Sequence, residues 1–99
     1  MSNAQLYIGQ SVVHEFRFWR DGTVLDVTGA IVSVEITEPD GTVATHALEV
    51  VDGPGGVMSV GSPTTLGQVG IRKYWITGSD IDGNLISRPA SSDYVFKHY

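Results

Sequence analysis

Residues 16–43 read FRFWRDGTVLDVTGAIVSVEITEPDGTV, and the order of these letters decides the fold. Phe16 and Phe18 alternate with Arg17, and Val32, Val34 and Ile36 alternate with Ser33 and Glu35. That is the period of a strand with one face buried and one wet. Asp21-Gly22 lies between the runs and Asp40-Gly41 after them. Glycine reaches positive φ without steric cost, and Asp accepts hydrogen bonds from the backbone of its own turn. Flanked by alternating hydrophobics, such a pair signals a hairpin. Asp-Gly returns at 52 and 82, and Pro39 supplies the fixed φ that starts the turn at 40. These letters are the joints of a sheet.

The same period recurs on both sides of this stretch. Residues 12–19 are expected as a strand with Phe16 and Phe18 inward, and 30–37 as a second with Val32, Val34 and Ile36 inward. A third spans 42–51, with Leu48 and Val50 as its inward pair, and a short fourth spans 56–61. Residues 70–79, with Tyr74 and Ile76 inward, and 92–99 complete the set. "SPTTLGQVG" (62–70) is expected to cross over through one turn of helix. Short strands with turn signals roughly every 8–12 residues point to a sandwich or small barrel. Residues 10–99 then form a single β domain behind an N-terminal arm, 1–9.

Composition narrows the function classes. The chain of 99 residues is 41% hydrophobic, enough for one domain with a core. Its formal charge is −5, six Lys and Arg against eleven Asp and Glu, without a basic stripe. Nucleic acid, a dense line of negative charge, is therefore not an expected partner. Apolar runs stop at three or four residues, far short of the roughly 20 that a membrane helix needs. The opening MSNAQLYIGQ also lacks the basic flank and apolar centre of a secretory signal. No membrane partner is expected. Cysteine is absent, which removes disulfides, thiolate nucleophiles and Cys-based zinc sites.

Little in the chain announces chemistry. "DIDGN" (80–84) looks like half a calcium loop, but counting from Asp80 its glycine comes too early and position twelve is Ser91 instead of a bidentate Glu. A plain hairpin turn is the reading. His14, His46 and His98 stand far apart, with no second ligand at metal spacing. "GSPTT" lacks the nucleophile-elbow pattern, and "GSPTTLGQVG" lacks the ending of a phosphate cradle. The acids sit mostly in turns. We expect no enzyme, no cofactor and no metal. Asp26 and Thr28 of "VLDVTGA" are expected to turn the chain from sheet to sheet, their side-chain oxygens meeting backbone N–H groups there. Gly29, Asp40 and Gly41 belong to the same class of structural turn residues.

Two tryptophans break the usual placement. With Phe16 and Phe18 inward, Trp19 falls outward beside Arg17; with Tyr74 and Ile76 inward, Trp75 falls outward too. Paired surface indoles suggest an interface, and Arg17 and Arg72 are expected as its rim.

The order of these signals resembles the immunoglobulin-like domains of tailed-phage virion proteins, including the N-terminal domain of upper-baseplate proteins. The matched positions are Asp21, Gly22, Asp26, Thr28, Gly29, Ala30, Pro39, Asp40, Gly41 and Thr42, with "PTTLGQVG", Tyr74 and "DGN" following in order. The likeness spans nearly the whole chain but is specific only between about 16 and 43; "QVGIRKYW" replaces the family's usual short Gly-x-Tyr. The resemblance implies an all-β fold, an immunoglobulin-like antiparallel β-sandwich of six to eight short strands. It also implies a non-enzymatic virion protein: a capsid decoration or a tail or baseplate accessory, assembled in the host cytoplasm. Such a protein would dock on phage capsid or tail proteins, as a homo-oligomer or bound to their lattice. The alternative is a carbohydrate- or cell-surface-binding module, with Trp19, Tyr74 or Trp75 stacking on sugars.

Overall fold

The computed structural model describes residues 6–61, 63–87 and 91–97. Ser62, His98 and the first five residues of the expected arm lie outside them. The described chain is all strand and turn. Its first half holds β1 (Leu6–Tyr7), β2 (Ser11–Val12), β3 (Glu15–Arg17), β4 (Trp19–Arg20), β5 (Thr23–Val24), β6 (Ile31–Thr37) and β7 (Val43–Ala47). Its second half holds β8 (Glu49–Asp52), β9 (Val57–Ser59), β10 (Thr64–Thr65), β11 (Gly70–Ser79), β12 (Leu85–Ser87) and β13 (Ser91–Phe96).

Two layers enclose the core. The larger sheet runs β1-β13-β11-β6-β7, with β12 also paired to β11. The facing layer is the sheet β3-β9-β8, with the two-stranded pieces β4–β5 and β10–β2 beside it. Val32, Val34 and Ile36 of β6 and Tyr74 and Ile76 of β11 meet Phe16, Phe18, Met58 and Val60 of the other layer. The expected inward sets of the second and fifth strands are these same residues. The immunoglobulin-like β-sandwich is the observed fold, antiparallel except where β1 pairs in parallel with β13.

Three of the four Asp-Gly pairs sit in tight turns, and at the other Asp52 ends β8 and Gly53 opens the turn that follows. At Asp21-Gly22 both residues have positive φ, 52° and 78°, between the paired Arg20 and Thr23. That is the mirror-image turn whose twist suits a two-residue hairpin. At the second, Thr42 N–H donates to Asp40 Oδ1 at 2.8 Å and Gly41 takes a φ of 91°.

Three expectations need correction. The 12–19 strand breaks at Phe18, whose N–H bonds Gly56 and whose carbonyl accepts from Leu25, so the chain exchanges β9 for β5 as its neighbour. The 42–51 strand divides at Leu48, where the chain leaves the larger sheet for the smaller one. Leu48 is buried as expected, but Val50 is 42% exposed on an edge strand. The expected helical turn is extended chain instead. Thr64 and Thr65 pair with Val12 and Ser11, and that long-range ladder overrides any local preference.

Candidate functional site

β11 and β13 carry an aromatic outer surface. Their inward residues Tyr74, Ile76 and Val95 are buried, so strand alternation turns Ile71, Lys73 and Trp75, and Tyr94 and Phe96, to the outside. Ile71 lies opposite Tyr94, and the Tyr94 and Phe96 rings meet edge to face at 4.9 Å. Tyr7 of β1, in register with Phe96, adds a third ring at 5.8 Å. Trp75 is 53% exposed beside Glu35 of β6, and Tyr94 is 50% exposed. Lys73 stands between two hollows. One, of about 200 Å³, is walled by Glu35, Thr37 and Trp75. The other, of about 480 Å³, lies toward Pro39, Val69 and Ile71.

The opposite face of the same strand holds a buried charge. Arg72 is only 2% exposed, and its Nη2 and Nε reach Glu38 Oε2 at 3.0 and 3.1 Å. Nη1 donates to His14 Nε2 at 3.2 Å and to Thr64 Oγ1 at 3.3 Å. Arginine has only donors, so the imidazole accepts at Nε2 and carries its proton on Nδ1. Burial first, and the Arg72 charge second, hold His14 below its ordinary 6.5. The guanidinium also lies 5.9 Å from the centre of the Tyr74 ring, close enough for a cation–π attraction. Burial, with Asp93 nearby, pushes the Tyr74 phenol well above its usual range. Its hydroxyl has no hydrogen-bond partner among the described residues.

A third polar group closes one end of the sandwich around an open cleft of about 430 Å³. Asp80 Oδ1 accepts from the Asp82 and Asn84 N–H groups at 3.0 and 2.9 Å, and Oδ2 meets Arg20 at 3.0 Å. Arg20 also donates to the Leu85 carbonyl at 2.9 Å. "DIDGN" is thus a hairpin turn tied to β4. Across the cleft, Thr28 N–H donates to Asp26 Oδ1 at 2.9 Å, and the Thr28 hydroxyl, with that N–H second, holds Asp26 below the usual carboxylate range. Gly29 has a φ of 73°, and a Cβ there would collide with Ile81, so the turn is closed to larger residues.

The four residues expected at one interface do not come together. Trp19, 57% exposed, and Arg17 face outward from the smaller layer, and Trp75 faces outward from the larger sheet, with the core between them. Arg72 belongs to no rim. With Tyr74 and Ile76 inward, alternation already directs Arg72 inward, where Glu38 meets its charge. Lys73, Tyr94 and Phe96 were missed as surface partners of Trp75, although the same alternation applied to 70–79 and 92–99 points them outward.

No protein-family model and no curated protein matches the sequence. Among solved structures, CopC from Methylosinus trichosporium OB3b is similar, with a TM-score of 0.62 and 16% identity over 98% of this chain and 88% of that one. The shared feature is the β-sandwich. At that identity the likeness speaks for the fold alone. The virion role expected from the sequence rested on a likeness to phage domains, whereas the structural match is CopC and neither sequence comparison finds a phage protein. That overturns the virion role. Among the described residues, no three of His, Asp and Glu gather to hold a metal ion.

Proposed function

We propose that this chain is a non-catalytic binding module that seats another protein on the outer face of its larger sheet. One observation carries the reading: Ile71, Trp75, Tyr94 and Phe96 stand half-exposed on two adjacent strands whose other faces form the core. Single exposed hydrophobics are ordinary, but Ile71, Tyr94 and Phe96 cluster together, with Trp75 beyond Lys73 on the same face, and such a group marks an interaction surface. Trp and Tyr are also the side chains that most often carry binding energy. The hollows on either side of Lys73 suit apolar side chains, and the ammonium between them suits a carboxylate. The fitting partner is therefore an apolar protein surface bearing an acid, with Glu35 repelling an acid placed at the wrong end. The perturbed carboxylates Asp26 and Asp40 are held by the hydroxyl and then the N–H of Thr28 and Thr42 in their own turns, and Asp80 by the Asn84 N–H of its turn. That is the chemistry of joints, which favours a binding role over acid–base catalysis.

The test is titration calorimetry of the chain against the products of its neighbouring genes. At least one should bind, with Trp75→Ala weakening the affinity tenfold or more and Trp19→Ala, on the opposite layer, leaving it unchanged. Binding to none of them, or binding that survives Trp75→Ala, contradicts the reading.

A further inference from the structure

Two edge strands of the sandwich follow one another in the chain and are protected very differently. β8, one edge of the smaller sheet, carries Glu49 and Asp52 and a register shift between Val50 and Asp52. Charges and bulges are the usual devices that stop an edge from recruiting another strand. β7, which ends the larger sheet on the side opposite β1, has neither. Its sequence VATHA lacks Lys, Arg, Asp, Glu and Pro, and its five pairs with β6 run in unbroken register.

The direction of its free backbone groups follows from its flanks. Leu48 N–H donates to Val32 and Thr42 C=O accepts from Glu38, both at 2.8 Å, so the even-numbered residues bond toward β6. Val43, Thr45 and Ala47 then aim their N–H and C=O groups away from the sheet. All three are exposed.

We infer that β7 is a self-pairing edge, along which two copies of the chain join their larger sheets antiparallel about a two-fold axis at Thr45. The register is set by the groups to be satisfied. Thr45 faces Thr45 of the other copy, and Val43 of each faces Ala47 of the other. These three pairs each exchange two bonds, about six hydrogen bonds in all. On the inner face His46 falls opposite Ala44, the small residue that leaves room for an imidazole. The edge carries no formal charge, so a chain of net charge −5 meets itself there without local repulsion. A strand that is small, β-prone and compatible with its own reverse fits a second copy better than a charged partner. This surface is an edge, independent of the outer face assigned above to another protein.

The experiment is sedimentation velocity from about 10 µM to about 1 mM, because association follows mass action. Amide exchange is measured at both ends of that range. The chain should shift from monomer toward dimer, with the Val43, Thr45 and Ala47 amides slowing tenfold or more in the dimer. Thr45→Lys, an exposed change that places a charge on the edge, should abolish the shift. Thr45→Pro, which deletes an N–H that faces away from β6, should do the same. Trp75→Ala should leave dimerisation intact, which separates this inference from the outer-face reading. A chain that stays monomeric throughout overturns it. So does a dimer that persists in Thr45→Lys, or one whose new protection appears on β11 and β13.

Discussion

The two faces of β11 place charge and apolar surface against expectation. Inside, Arg72 is buried beside Glu38, His14 and Tyr74; outside, Ile71 and Trp75 stand half in water around Lys73. The inner exception is structural, because the guanidinium finds an acid, an imidazole, a hydroxyl and an aromatic ring inside the sandwich. The outer exception has no such explanation within the chain, since nothing among the described residues covers Trp75. One strand therefore separates a residue kept for the fold from residues available to a partner.

Breaking the inner face should have the largest effect. Glu38→Ala leaves Arg72 as a buried charge without its acid, and loss of one partner from a buried pair costs on the order of 3 kcal/mol. For a domain of this size, roughly 4–8 °C of melting temperature per kcal/mol makes the loss plain in a thermal scan. Arg72→Met, which removes the charge while keeping an unbranched apolar stem, should cost less than Glu38→Ala. The reverse order would mean that the ion pair itself, and not the avoidance of an unpaired charge, stabilises the core.

Acid should loosen the same cluster in a defined window. His14 titrates lower in the folded chain than its ordinary 6.5, so the unfolded chain binds more protons as pH falls past that value. Stability is then fully present above pH 6.5 and falls as pH drops toward the depressed pKa. Asp26, Asp40 and Asp80 are held below 3.8, so their contribution is lost only at still lower pH. In urea titrations between pH 7 and 5, His14→Gln should flatten the slope while leaving the loss in stronger acid. An unchanged slope would remove His14 from the account.

What the sequence disclosed and what it hid divide along β11 as well. Alternation placed Tyr74, Ile76 and Trp75 correctly because it depends only on neighbouring residues. It placed Arg72 too, and only the habit of putting arginine on a surface pointed the other way. The partners that make its burial tolerable, Glu38 and His14, are 34 and 58 residues distant, and no local pattern brings them together. Val50 and the 62–70 segment fail for a related reason. A strand that changes sheets at Leu48, or a Thr64–Thr65 bridge to Ser11–Val12, is decided by pairing across the fold. The Asp-Gly joints were legible throughout, since a turn carries its own chemistry. The function read from their order was not, because turn chemistry reports how a sandwich closes and says nothing of what it touches.

The outer face should yield the smallest effect on stability, and this is the most direct test of the account. Equilibrium urea unfolding of the double variant Trp75→Ala, Tyr94→Ala should give a midpoint within about 0.5 kcal/mol of the parent, the range of surface changes that touch no core. A midpoint at or above the parent's, with an unchanged slope, means that these rings are exposed for something other than folding. A loss on the scale of Glu38→Ala would show that the rings hold the sandwich together, and the division between the two faces of β11 would be wrong.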